Sequence, residues 1–375
     1  MAGSAIPDES AFLTRVESLR GIAALAVAFF HTGTTAERVW LSAPDALGLT
    51  AFDDRWFRLY MSVANGSGAV VAFFVMSGFV LARSLDNNVA AEGRVGAAKY
   101  FVSRVFRIYP AVIAAIGVFT LAYLTLGIAF DNGNYDLPNV LLNMLLLRSD
   151  INHVTWSLTV EVIATPLILL ATVWTRRRGM GALFLLLAIF FPLSFVKGFA
   201  FSDASLSALY AFLLGVFLHF YGPMIANRWS DTTASLVVVL SVLVFCLCGE
   251  HSSGWFTMIE AQSAAGLILV AAFKPGLRIL RPLDSWVLRF AGKVSYSFYL
   301  LHPLSLSLAA AVFQTIGHIG TLTILAVALA SVCLVMPFAW ASYTLIERPG
   351  IALGRRVIKA MSTERPRTIE ADGGL

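Results

Sequence analysis

Near the start of the hydrophobic part of this sequence, three charged residues and a histidine stand at spacings that would suit proton transfer inside a membrane. They lie in RVESLRGIAALAVAFFHTG, residues 15–33, as Arg15, Glu17, Arg20 and His31. At 100° per residue, Glu17, Arg20 and His31 fall within an arc of about 60°, so they share one face of a helix. His31 follows Arg20 by 11 residues, which at 1.5 Å per residue is ~16 Å, close to the middle of a ~30 Å hydrocarbon core. An ionisable group at that depth costs several kcal/mol and by default marks function. A neutral imidazole there can act as a general base. The structural alternative is a ring hydrogen-bonded to a neighbouring helix, and the face shared with Glu17 and Arg20 favours chemistry.

Other apolar blocks carry their own polar residues. GSGAVVAFFVMSGFVLARS holds Ser77 and Gly78, small residues that admit another backbone or a ligand. YFVSRVFRIYPAV places Arg104 and Arg107 at i and i+3 on one face. Such a pair anchors a helix at the cytosolic surface, or grips phosphate oxygens through planar forks, and spacing alone does not choose. In NHVTWSLTVEVIATPLILL, Trp156 reads as an interfacial anchor and Glu161 follows by five residues, ~8 Å further in, where a carboxylate needs a partner. His153 reads as a loop residue in water. In GKVSYSFYLLHPLSLSL, His302 precedes Pro303, whose missing N–H frees a carbonyl, so His302 reads as structurally satisfied. Glu347 and Arg348, in LIERPG, read as a salt bridge at a helix end that could also help line an entrance.

These residues need long helices to hold them, and the composition supplies them. Of 375 residues, 58% are hydrophobic and 13% charged, about half the charge of a soluble domain, and the mean hydropathy is +0.78. The expected fold is all-α, a polytopic membrane protein of about ten transmembrane helices with both termini cytoplasmic. Spans fall near 17–36, 67–86, 105–128, 155–174, 179–196, 203–221, 232–249, 256–273, 291–314 and 320–345. With that topology 22 of the 27 Lys and Arg residues lie inside, as the positive-inside rule requires. The net charge of +5 is therefore topology rather than nucleic-acid binding. Residues 1–14 and 350–375 read as cytoplasmic tails around one transmembrane unit, 15–349, and the run STERPRTIEADGGL reads as disordered. The segments 37–66 and 129–154 read as functional outer caps, and LPNVLLNMLLL is too short to span. A cleaved leader fits the first span poorly, because acidic residues flank it and His31 is followed by a weak cleavage site. The three cysteines imply neither a disulfide framework nor a metal site.

Taken in order, RVESLRGIAALAVAFFH, the SGF at 77–79, R-x-x-R followed by YP, WSLTVEV, SYSFYLLHP and ERP resemble the acyltransferase 3 family of integral-membrane acyltransferases. The resemblance covers residues 15 to 349. It implies transfer of a small acyl group, usually acetyl, from cytosolic acetyl-CoA or another acyl-CoA to a hydroxyl of a carbohydrate or glycolipid, in a bacterial inner membrane and without a metal. By position His31 matches the family's essential histidine, with Arg15, Glu17 and Arg20 as motif partners. Arg104 and Arg107 match its arginine pair and, with Arg20, would hold the acyl-CoA phosphates. Glu161 matches its acidic residue, a second catalytic candidate that orients the ring or holds the acceptor. Some members carry an added extracytoplasmic domain, which the short segment after the last span does not match. A proton-coupled transporter or flippase of a small anion or glycan is the rival reading, and it lacks the internal repeat such proteins often show.

Overall fold

The computed structural model describes residues 9–42, 54–130, 133–196, 205–249, 254–316 and 320–363. Among them the fold is all-α. Helix α1 (Glu9–Ser42) is followed by a short α2 (Asp54–Ala64) and then α3 (Gly66–Glu92) and α4 (Arg94–Leu126). After these come α5 (Leu137–Met144), α6 (Trp156–Arg178), α7 (Met180–Leu193), α8 (Ser205–Arg228), α9 (Asp231–Cys248) and α10 (Gly254–Phe273). The last described helices are α11 (Trp286–Leu301), α12 (Pro303–Thr315), α13 (Thr321–Ser342) and α14 (Arg348–Thr363). The terminators are local. Gly127, at φ 68°, closes α4 in the left-handed conformation and donates its N–H to the Tyr123 carbonyl. Asp136 caps α5 by accepting from the Asn139 N–H.

Seven helical stretches among the described residues are long and apolar enough to cross a membrane, eight if one bent pair counts as a span. This is a polytopic helical membrane protein. Two of the ten expected spans fall short of that criterion: α1, whose apolar run is interrupted by charged and polar residues, and α7, with only 14 residues. The expected span 291–314 is not one helix. It is α11 and α12, bent by 66° at His302–Pro303, because Pro303 lacks the N–H that would continue the ladder. Residues 350–363, expected in the tail, extend the helical bundle: Gly350 and Gly354 seat α14 against Pro110 and Phe106 of α4. Residues 1–8 and 364–375 lie outside the described set.

Two glycine contacts fix the central crossings. A Cβ on Gly78 would stand 2.1 Å from the Phe212 carbonyl oxygen, and one on Gly215 would stand 2.2 Å from that of Val75. Helices α3 and α8 therefore touch backbone to backbone, the packing role of small residues in membranes. Helices α1 and α11 meet in the same way. A Cβ on Gly21 would lie 2.5 Å from the Gly292 nitrogen, and one on Gly292 would lie 2.2 Å from the Glu17 carbonyl oxygen.

At its N-terminal end α1 is clasped to the 3₁₀ turn Arg278–Asp284. Arg15 donates from Nε and Nη2 to the two Asp284 carboxylate oxygens at 2.8 and 2.7 Å, and Ser18 donates to the Leu283 carbonyl at 2.7 Å. Hydrogen bonding to Arg15 holds the Asp284 carboxyl below its ordinary range. The clasp therefore contributes through neutral pH and is lost only as the pH falls below the usual aspartate value of about 3.9.

Residues 133–154 form a cap organised by side-chain amides. Asp150 accepts from Asn143 at 2.7 Å and Asn139 at 2.9 Å, and Arg148 donates to the Asn139 Oδ1 at 3.0 Å. Burial works against the Asp150 charge, but these amide bonds outweigh it and hold its carboxyl low. That satisfied network lets the turn His153–Thr155 hold a fixed position beside α11, where Asn152 donates to the Leu300 carbonyl at 2.9 Å.

Candidate active site

The glycine crossing decides where the first histidine goes. Gly21 and Gly292 touch, and ten residues further along each chain stand His31 and His302. Two helices running parallel from a backbone contact stay close, so both rings reach the same level. His31 Nδ1 lies 2.9 Å from His302 Nε2, and with centroids 5.1 Å apart and planes inclined by 23° the two rings meet edge to edge. His302 is 1% exposed. Its other nitrogen, Nδ1, lies 2.8 Å from the Tyr299 carbonyl oxygen. A helix would ordinarily pair that carbonyl with the N–H of residue 303, which is proline. The expected structural satisfaction of His302 is thus present, but on one nitrogen only. The other meets His31, which nothing in the spacing of either helix indicates.

His31 stands where two cavities meet. The larger, about 600 Å³, is largely aromatic and aliphatic, with Phe30, Phe74, Trp156, Phe195 and the small residues Gly66 and Ser67 in its wall. The smaller, about 340 Å³, is bordered by Thr34, Thr35, Arg38 and Ser307. His31 and His153 border both. His153 is exposed, as expected of a loop residue, yet its ring borders these cavities, a placement the sequence reading missed. Trp156, expected as an interfacial anchor, instead faces the larger cavity and meets Phe74 edge-on at 6.1 Å. The Thr34 and Thr35 hydroxyls donate to the His31 carbonyl at 3.0 and 2.7 Å, leaving their lone pairs available to a hydroxyl-bearing ligand.

A third chamber lies toward the N-terminal end of α1. It holds only about 40 Å³ and is bordered by Arg20, Ser77, Glu161, Ser295 and Tyr296, and it shares Val70, Phe74 and Tyr299 with the larger cavity. Glu161 does not reach His31. It forms a short ion pair with Arg104 and accepts from Ser77 at 3.2 Å. Arg104, expected at the cytosolic entrance, is buried in the bundle, and its Nε has no partner among the described residues. Arg20 lies within electrostatic range of Arg107, Glu161, Glu347 and Arg104. Neither Arg20 nor Arg107 forms an ion pair among the described residues. Glu347 does not bridge to Arg348 as expected. A π-helical turn, Tyr343–Glu347, rotates it inward, where it is 4% exposed and accepts from Ser297 at 3.0 Å. Single π turns of this kind recur at functional sites. Gly78 packs against the Phe212 backbone, and Arg15 and Glu17 support the α1 contacts described above.

Glu260 is a residue that the sequence reading passed over. It is 0% exposed in α10, where Oε1 accepts from Asn65 Nδ2 at 2.9 Å and Oε2 has no partner among the described residues. Asn65 also donates to the Phe245 carbonyl at 2.7 Å and accepts from the Gly68 N–H at 2.8 Å. This network fixes the break between α2 and α3 beside Gly66 and Ser67 of the cavity wall. The signal was present as a lone acid in the apolar stretch GWFTMIEAQSAAGLILV. Glu260→Gln is expected to keep thermal stability in detergent, because glutamine still accepts from Asn65. Glu260→Leu leaves a buried donor unpaired and should lower stability by about 1–3 kcal/mol. Equal melting curves for the two variants would remove this account.

The α1–α11 crossing gives a second local prediction. Gly292→Ala places a methyl group against the Glu17 backbone and is expected to separate the two rings, with loss of activity. Gly181→Ala, with nothing within 4 Å of its Cβ position, serves as the control. Full activity in Gly292→Ala would show that the crossing does not set the histidine pair.

Comparison with known proteins adds to this geometry. A family model described as an acyltransferase domain matches residues 13–343. A Staphylococcus aureus (strain MRSA252) protein provisionally named as an O-acetyltransferase is 24% identical over 96% of this chain and 60% of its own length. One from strain COL, under the same provisional name, is 24% identical over 90% of this chain and 57% of its own length. A protein of Acidianus two-tailed virus provisionally named as an acetyltransferase is 25% identical over 84% of this chain and 88% of its own length. The chain thus spans about 60% of the length of the staphylococcal relatives. No solved structure gives a significant match.

Proposed function

We propose, from the premise that this chain belongs to the acyltransferase 3 family, that it moves an acetyl group from cytosolic acetyl-CoA to a hydroxyl of a carbohydrate or glycolipid, in a bacterial inner membrane. Residues 15–349 form the catalytic unit in this reading. The observation that carries it is the place of His31, at the junction of two cavities with a buried second histidine behind it.

The two cavities suit different ligands. The cavity with Thr34, Thr35, Ser307 and Arg38 presents hydroxyls and a cation to a polyol acceptor. The aromatic cavity suits the acyl thioester and its thin pantetheine arm. Donor phosphates are held at the basic end, where Arg20 and Arg107 have no ion-pair partner among the described residues and Arg104 is braced by Glu161. The narrow chamber shared through Val70, Phe74 and Tyr299 joins the two regions and must widen for the arm to pass.

In the reaction His31 takes the proton of the acceptor hydroxyl as its oxygen attacks the thioester carbonyl. The C–O bond forms, the C–S bond breaks, and the CoA thiolate leaves and takes up a proton, which restores neutral His31. Glu161 acts as a positioning residue through Arg104.

Mass spectrometry of surface glycans from cells with and without the protein tests this reading. An acetyl-sized gain that depends on the protein and on His31 is expected. Unchanged glycans, together with a purified protein that does not bind CoA, would overturn it in favour of transport.

A further inference from the structure

We infer that His302 is a positioning residue that fixes the tautomer of His31, holding its proton on Nδ1 so that Nε2 is the bare basic nitrogen. The inference rests on the reading of His31 as the base. It follows from a chain of three groups in which each direction of donation is forced by the one before.

The chain starts at a backbone carbonyl. Pro303 has no N–H, so the Tyr299 oxygen lacks its ordinary helical donor and takes one from His302 Nδ1 at 2.8 Å. A carbonyl oxygen only accepts, so the His302 proton sits on Nδ1. A neutral imidazole carries one proton, and His302 Nε2 is therefore an acceptor. That nitrogen lies 2.9 Å from His31 Nδ1, so His31 must donate there. Its own single proton is then used, and Nε2 is left with a lone pair. The opposite arrangement requires a positive charge on His302, at 1% exposure and with no carboxylate bonded to either ring among the described residues. Burying an uncompensated charge in that way is costly. In the usual arrangement a carboxylate or carbonyl behind the ring sets which nitrogen is free. Here a second imidazole, itself set by a proline, takes that part. Ser305 steadies the break, since its backbone N–H and its hydroxyl both donate to the His302 carbonyl at 3.0 and 2.7 Å.

The test combines a spectroscopic readout with a rescue. ¹⁵N-histidine NMR of the whole protein in nanodiscs, with His31 assigned by its loss in His31→Ala, reports which ring nitrogen carries the proton. Wild type is expected to show a protonated Nδ1 and a bare Nε2. His302→Phe keeps the aromatic volume and removes the acceptor, so the His31 tautomer should redistribute and kcat should fall by about 100-fold or more. The KM for acetyl-CoA should stay within about twofold, as expected for a group that acts only on the proton transfer. His302→Gln supplies an amide oxygen that can accept from His31 and should recover about 10-fold of that loss. A bare His31 Nδ1 in wild type overturns the inference, and that measurement does not need any variant to fold. Equal impairment of the Phe and Gln variants with an unchanged tautomer also overturns it, since His302 would then only pack. Full activity of His31→Ala would sink the reading of His31 as base while leaving the tautomer result to stand or fall by itself.

Discussion

His31→Ala is expected to lower kcat for acetyl transfer by about 100- to 10,000-fold, the range that a positioned general base supplies. Acetyl-CoA affinity should change by less than about twofold, because Arg20, one of the arginines assigned to the phosphates, borders the chamber beyond Val70, Phe74 and Tyr299, which His31 does not border. Folding should survive, since the ring borders open cavities and its removal unpairs a single acceptor on His302. Among the described residues the only other titratable ring bordering both cavities is His153, so a residual rate in His31→Ala that vanishes in His31→Ala/His153→Ala would show substitution by that ring. Single-turnover kinetics with labelled acetyl-CoA, together with equilibrium binding, provides the check. A wild-type rate in the double variant would exclude both histidines from proton transfer. An acetyl group trapped on wild-type protein but absent from His31→Ala, and released by acid or by neutral hydroxylamine, would instead favour an acyl-imidazole intermediate.

The two arginines of the R-x-x-R pair should respond differently to mutation. Arg104 is buried and paired with Glu161, whereas Arg107 is half-buried and makes no ion pair among the described residues. Arg104→Ala strands the Glu161 carboxylate in the bundle with only the Ser77 hydroxyl for a partner among the described residues, and breaking a buried pair from one side costs about 3–5 kcal/mol. Its main effect should be a lower melting temperature and a lower folded yield. Arg107→Ala should fold normally and lose about 10-fold or more in CoA affinity, the scale of one charge-assisted phosphate contact. Arg107→Lys should recover little, because an ammonium does not reproduce the planar fork. Glu161→Gln should resemble Arg104→Ala in stability. Thermal unfolding and CoA binding, measured on the same preparations, separate the two effects. Matching behaviour of Arg104→Ala and Arg107→Ala in both assays would refute the division of labour.

Much of this protein follows from properties that run along the chain. Hydropathy blocks give the helices because an apolar stretch of span length must satisfy its backbone internally. The face shared by Arg20 and His31 was legible because helical periodicity is a property of one segment, and both residues border chambers that share Val70, Phe74 and Tyr299 as wall. The freed carbonyl before Pro303 was legible for the same reason, since it needs only the local ladder.

What the segments do to one another was not legible. His31 and His302 are 271 positions apart, and their meeting depends on Gly21 touching Gly292, a contact that no single helix announces. Glu161 faces Arg104 rather than the imidazole because α4 and α6 bring those two groups together, and Glu347 turns inward because a π turn rotates it. The break at His302 reads from sequence as a proline, but its 66° angle appears only in the structure. The amino-acid order by itself determined which elements form and which polar groups each helix carries into the membrane. Only the tertiary structure decided which of those groups meet, because partners across helices are selected by close backbone approach and by the need of each buried polar atom for a partner.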